Sequence, residues 1–306
     1  MKIKKIASFM LVTVISAVAL TGCVNNSKKT IAFLPKQLDG VEYWEAMRTG
    51  IENEASNSGY KLVAMASKNG DINEQKELMN QMIKDKVDAI ILAPSSVTEL
   101  VPEIKEANEA DIPVVLVDTN VDSGLLEANK AKIAPYVGVD NYAGGELIGK
   151  EVASKLQKGS QVAILGGGVG QTNSDERCKG FRDAVTKAGM NVVTQLSTNW
   201  SANDGYIQAE SILKAYPDVK AMFTVNNTVY KGAYEASKDL GKQLVMGTFD
   251  YDDNTMNRIN AGELGCTLSQ DSDSMTKMTI DTINKILSGE SVEPNIVSDA
   301  KLITKK

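Results

Sequence analysis

Residues 89–118 read AIILAPSSVTELVPEIKEANEADIPVVLVD, and their pattern decides the fold. The stretch opens on Ala89-Ile-Ile-Leu92 and ends with Val114-Val-Leu-Val117 before Asp118. These apolar runs are continuous rather than alternating, as parallel strands buried on both faces require. Between them Ser96 precedes Glu99 by three residues, the spacing of a helix capping box. Strand, helix and strand make one βα repeat.

The repeat continues in both directions. Ile31–Leu34 and Leu62–Met65 lie upstream; Val162–Leu165, Val192–Leu196, Ala221–Val225 and Leu244–Thr248 lie downstream. Asp71 and Glu74 repeat the capping spacing, and Ile72, Met79, Met82 and Ile83 mark an apolar helix face that reads as core. Gly59, Gly189 and Gly241 stand where helix C-caps belong. Two sets of four units fit two similar doubly wound α/β lobes, although a single barrel of eight units has the same spacing. Ligands on open parallel sheets bind beyond the carboxyl ends of the strands. That places interest on Lys36 to Trp44, Ala93–Ser95, Asp118–Asn120, Gly166–Arg177, Asn226-Asn227 and Asp250.

Composition narrows the chemistry. A chain of 306 residues, 42% hydrophobic, suits two domains better than one core. Its 39 acidic against 33 basic side chains argue against a nucleic-acid-binding surface. Histidine is absent, which removes every His-dependent triad, zinc site and acid/base scheme. Three cysteines, at 23, 178 and 266, are too few for a disulfide framework.

The N-terminus reads as an export signal. Met1–Lys5 is basic, and Ile6–Leu20 is uncharged and mostly apolar but short for a membrane span. Leu20-Thr-Gly-Cys23 has the pattern of a bacterial lipobox. Residues 1–22 are therefore expected to leave, Cys23 to become lipid-modified, and 23–28 to form a tether; a plain secretory signal is the alternative. Loss of Lys2, Lys4 and Lys5 moves the formal charge from −6 to −9. Two or three acyl chains anchor a protein stably where one does not.

Three motifs imitate catalytic ones. Gly166-Gly-Gly-Val-Gly170 follows a strand but lacks the GK[ST] ending of a P-loop, and Gln171 takes the third glycine place of GxGxxG. A structural or ligand-approach loop fits better. Asp250, Asp252 and Asp253 lack the loop of a calcium site. Cys178 beside Arg177 reads as a buried free thiol, since no histidine could activate it.

From about Thr30 onward the chain resembles the periplasmic sugar-binding proteins of ABC transporters, the group typified by the ribose-binding protein. The motifs are Tyr43-Trp44 with Gly50, Ile112-Pro-Val-Val-Leu-Val-Asp118, Gly138-Val-Asp-Asn-Tyr-Ala-Gly-Gly145, Arg177-Cys-Lys-Gly-Phe181, Asn226, Gly247-Thr-Phe-Asp250 and Gln270. Sugar-responsive repressors share this fold but begin with a helix-turn-helix. The resemblance implies two lobes, 29–139 plus 271–299 and 140–270 plus 300–306. Three crossings would join them, near Val139-Asp140, Gln270-Asp271 and Asp299-Ala300, with a cleft between that closes by a hinge.

The resemblance also implies a site. Tyr43 and Trp44 would form one aromatic wall and Trp200 the other, matching the apolar C–H faces of a sugar ring. Asp118, Arg177, Asn226, Asp250 and Gln270 would hold its hydroxyl rim. Thr119 stands where ribose binders carry Arg, and Ala93 where they carry Asn. The implied ligand is thus a monosaccharide-sized polyol, with ribose itself in doubt. Pro35-Lys36 is similar to branches that bind other monosaccharides or autoinducer-2; Lys36 reaches the ligand or forms a solvated lip. The expected protein acts as a monomer without metal or cofactor, delivering sugar to an ABC permease. A sensor for a membrane receptor, and a glycosidase using Asp118 and Asp250, are the alternatives.

Overall fold

A computed structural model describes residues 28–38 and 41–305, so the expected signal, Cys23 and the expected tether up to residue 27 lie outside the described residues. The first half runs β1 (Thr30–Leu34), α1 (Glu42–Asn57), β2 (Lys61–Ala64), α2 (Ile72–Lys84), β3 (Ala89–Leu92), α3 (Val101–Glu109), β4 (Val114–Val117), α4 (Ser123–Asn129) and β5 (Tyr136–Gly138). The second runs α5 (Asn141–Ser154), β6 (Gln161–Gly166), α6 (Thr172–Lys187), β7 (Asn191–Ser197), α7 (Ala202–Ala215), β8 (Val219–Thr224), α8 (Asn227–Asp239), β9 (Val245–Phe249), α9 (Asp253–Ala261) and β10 (Cys266–Gln270). α10 (Ser272–Ser288), β11 (Asn295–Val297) and β12 (Ala300–Thr304) follow.

The strands form two sheets, ordered β11-β5-β4-β3-β1-β2 and β12-β10-β9-β8-β6-β7. Pairing is parallel except between β10 and β12. These are two α/β lobes and not one barrel. The continuous apolar runs have a direct cause. Ile31, Phe33, Ala89, Ile91, Val115 and Val117 point to one face, against Met47 and Ile51 of α1 and Ile280 and Ile283 of α10. Their neighbours Ala32, Leu34, Ile90, Leu92, Val114 and Leu116 point to the other, against Met79 of α2 and Ile104 of α3. A strand covered by helices on both sides needs an apolar residue at every position.

The chain leaves the first sheet after β5, returns to that lobe with α10 and β11, and ends in the second sheet with β12. In each sheet the second strand lies outside the first: β1 between β2 and β3, β6 between β7 and β8. Connections on either side of β1 and β6 therefore run opposite ways and open a crevice at their carboxyl ends.

Two local expectations need correction. β5, β10, β11 and β12 extend each sheet beyond the four apolar runs; they are short or carry Thr, Ser, Gln and Lys, so the apolar pattern passes over them. Ser96 does not cap α3, which starts at Val101 behind Leu100. Pro102 suits that first turn because it brings a fixed φ and no amide donor. The Ser96 hydroxyl instead accepts from the amides of Thr98 and Glu99 in the preceding turn, at 3.3 and 3.2 Å. Asp71 does cap α2, accepting from Asn73 and Glu74.

Glycine sets how closely α5 and α6 approach. A Cβ at Gly145 would lie 2.2 Å from the carbonyl oxygen of Arg177, and one at Gly180 2.1 Å from that of Tyr142. This backbone contact explains Gly145 and Gly180, and it fixes the helix that carries Arg177. Gly180→Ala should therefore destabilise the fold by about 1–3 kcal/mol through overpacking. Urea denaturation checks this; a midpoint equal to that of the unsubstituted chain would show that the helices can spread without cost.

Candidate ligand-binding site

Both lobes turn their strand ends toward one cleft. Asp118 follows β4 with φ 63, Asp250 follows β9 with φ 69, and Trp200 lies beyond β7 with φ 63. Left-handed backbone is tolerated by Asp but costs about 1–3 kcal/mol at a bulky residue, and such strain gathers at functional sites. Trp200 can lie flat because Gly167 is beneath it: a Cβ there would come within 2.4 Å of the indole. The glycine loop after β6 thus serves as a floor for an aromatic ring.

Asp118 is buried and its Oδ2 is crowded. It accepts from Thr119 Oγ1 at 2.7 Å and from Asn173 Nδ2 at 3.2 Å, and it pairs with Lys36 Nζ at 3.6 Å. Lys36 follows β1, and its side chain is 13% exposed. Its Nζ donates to Gln171 Oε1 at 3.3 Å and lies 5.4 Å from the centre of the Trp200 ring. Burial lowers the Lys36 pKa; Asp118 opposes that and Arg177 adds to it. Trp200 Nε1 donates to the same Gln171 oxygen at 2.8 Å. Lys36 and Asp118 belong to the first lobe, Gln171, Asn173 and Trp200 to the second. The lobes are therefore bridged across the cleft.

Arg177, on α6, is 2% exposed. Its Nε donates to Asn141 Oδ1 at 2.8 Å, one Nη to the carbonyl of Val225 at 3.2 Å, and the guanidinium lies 4.1 Å from the centre of the Phe249 ring. These contacts leave donors unspent and include no carboxylate. Asp250 accepts from Gln270 Nε2 at 2.5 Å. Burial raises its pKa above the ordinary carboxylate range, against the pull of Arg177 and the Gln270 hydrogen bond. Two cations and two carboxylates thus meet, Arg177 and Asp118 buried and Lys36 and Asp250 half-buried, in one region where their charges balance. Tyr43, Asp250 and Gln270 also line a cavity of about 500 Å³ that reaches Asp271, Asp299 and Ala300, where the chain passes between the sheets.

The remaining candidates are placed differently. Trp44 is only 6% exposed and packs in the core with Met47, Ile51 and Val117. Tyr43 stands edge-on to it, ring centres 4.9 Å apart, and its hydroxyl faces Met275 Sδ at 3.7 Å. Burial holds the Tyr43 phenol well above its ordinary pKa. Asn226 caps α8, its Oδ1 accepting from the Val229 amide at 3.0 Å. Thr119 is fully buried behind Asp118. Gln171, Asn173 and Asn141 join the cluster; they lie within stretches the sequence marked, Gly166–Arg177 and Gly138–Gly145, but had no individual role, because polar side chains carry no periodic signal. Asp252 is spent on capping α9 and on Lys231 at 2.8 Å. Cys178 and Cys266 are free and buried, and burial pushes both thiols up to about 12, far from a reactive thiolate.

Two α/β lobes facing each other over a buried cleft of aromatic, cationic and carboxylate side chains define a bilobal ligand-binding protein. The chain matches the family described as periplasmic binding protein domain over residues 31–291, and it belongs to that family. It is 30% identical over 312 residues to the ribose import binding protein RbsB of Escherichia coli (strain K12), covering 100% of both chains. It is 31% identical to the D-ribose/D-allose-binding protein of Pseudomonas aeruginosa, over 95% of this chain and 94% of that one. A solved ABC transporter periplasmic solute binding protein from Actinobacillus succinogenes 130z with bound D-allose superposes with a TM-score of 0.85. That match has 28% identity and covers 91% of this chain and 98% of the other. By its family the chain is a solute-binding protein, not an enzyme.

Proposed function

We propose that the chain is a lipid-anchored receptor that captures a monosaccharide-sized polyol in this cleft and delivers it to an ABC permease. The carrying observation is the charge-balanced set of buried Arg177 and Asp118 and half-buried Lys36 and Asp250 beside the Trp200 indole. Each hydroxyl both donates and accepts, so a polyol can meet carboxylates and cations in one ring, and its C–H faces suit an aromatic plane. A site without net charge favours a neutral ligand. The relatives named for ribose, allose and their import support this reading. Ribose ranks behind other monosaccharides, because Thr119 and Ala93 are both fully buried and bring no free donor to the cleft. The lobes 29–139 with 271–299 and 140–270 with 300–306 act as the moving bodies of a hinge.

The test is a thermal-shift and fluorescence screen across pentoses, hexoses, inositols and autoinducer-2. One of these polyols should raise the melting temperature and shift tryptophan emission; a protein that responds to none of them is not this receptor. Anchoring rests on Leu20-Thr-Gly-Cys23. Cys23→Ser should move the protein from the membrane to the soluble fraction with unchanged affinity. Retention in the membrane with no change in mass would refute the anchor.

A further inference from the structure

Gln171 occupies the N-cap position of α6, where Ser, Thr, Asp or Asn is preferred because a short side chain reaches back to the first helical amides. Its backbone is extended as a cap requires, but its side chain makes no capping bond. The carboxamide turns into the cleft instead. Its Oε1 accepts from Trp200 Nε1 at 2.8 Å and from Lys36 Nζ at 3.3 Å, and its Nε2 donates to the carbonyl of Ser95 at 3.5 Å. Both acceptor sites of one amide oxygen are thus spent, one on an indole and one on a half-buried ammonium from the opposite lobe. Inside the helix Asn173 takes over part of the capping task, its Oδ1 accepting from the Ser174 amide at 2.9 Å. That leaves the Gln171 carboxamide to the cleft.

We propose that Gln171 is the positioning residue of the binding site: by holding the Trp200 indole and the Lys36 ammonium on one oxygen, it fixes the aromatic plane and clasps the lobes together. Asn173 Nδ2 on Asp118 Oδ2 is a second tie between lobes and survives changes at Gln171. Loss of Gln171 therefore loosens the cleft without releasing it. With Oε1 removed, the half-buried Trp200 N–H loses its acceptor, the Lys36 ammonium keeps only Asp118 at 3.6 Å, and the indole is free to turn.

The test compares Gln171→Leu, which removes the acceptor at similar volume, with Gln171→Glu, which keeps it. The ligand-free full chain carries only two tryptophans, and the deeply buried Trp44 supplies a constant background. Gln171→Leu should red-shift the emission of Trp200 and increase its quenching by acrylamide, whereas Gln171→Glu should match the unsubstituted chain. This arm stands without any ligand. A second arm rests on the polyol reading and uses D-allose and D-ribose as probes. For whichever binds, Gln171→Leu should speed dissociation by roughly tenfold, the effect of one lost buried hydrogen bond, and Gln171→Glu should restore it. Unchanged quenching in Gln171→Leu, or Gln171→Glu behaving like Gln171→Leu, overturns the proposal. Failure of both sugars to bind passes the choice of polyol to the wider screen, and the quenching arm alone then decides the role of Gln171.

Discussion

Asp250→Asn is expected to weaken sugar binding by roughly a hundredfold at neutral pH, about 3 kcal/mol, while leaving the fold at least as stable. Asn keeps the shape, tolerates the left-handed φ of 69 and can still meet Gln270, so the backbone has no reason to move. What disappears is the half-buried negative charge that balances Arg177 and accepts hydroxyl protons. The stability side follows from the raised pKa of Asp250. Between its unfolded and folded pKa the native protein holds a proton that the unfolded chain has released. The contribution of this group is therefore present at low pH and lost as pH rises through the folded value. Affinity runs the other way: only the ionised carboxylate accepts from two hydroxyls, so binding should weaken as pH falls through the same value. Calorimetric titrations over the acid range should show this limb in the unsubstituted chain and a flat profile in Asp250→Asn. An acid limb that persists in the variant would assign the titration to another group.

The difference between what the sequence announces and what it conceals is visible in these residues. Ala89–Leu92 and Val114–Val117 are strands to the residue, because burial on both faces leaves a continuous apolar run. β5 has three residues and one of them is Gly138, too little pattern to stand out. Asp118 and Asp250 were legible because the carboxyl ends of parallel strands are where such folds bind ligands. Gln171 was not. It sits in a glycine loop that resembles a failed phosphate cradle, and its role depends on Lys36 135 positions earlier coming within 3.3 Å. Likewise Asn226 has the expected place, but its Oδ1 also caps α8, leaving only its Nδ2 to face a ligand, a division that no spacing rule reveals.

The two tryptophans illustrate the same limit and should fail in different ways. Trp44 lies on the face of α1 that packs against β4 and α10, so Trp44→Ala removes a large side chain from the core. That should cost about 3–5 kcal/mol of stability, a large share of what a typical domain possesses. Trp200 rests on Gly167 at the mouth of the second lobe, partly exposed and held by one hydrogen bond that its Nε1 donates to Gln171 Oε1. Trp200→Ala leaves a shallow surface rather than a sealed void, and because Ala keeps the Cβ the backbone strain at φ 63 is unchanged. Its stability should change little, while loss of the stacking plane should cost about 2 kcal/mol or more in binding, roughly thirtyfold in affinity. Urea midpoints and sugar titrations measured on both variants separate the roles. Trp44→Ala should lower the midpoint sharply and, where still folded, retain affinity. The opposite pattern, with Trp44→Ala stable but unable to bind, would place Trp44 in the ligand wall and require the first lobe to open around it.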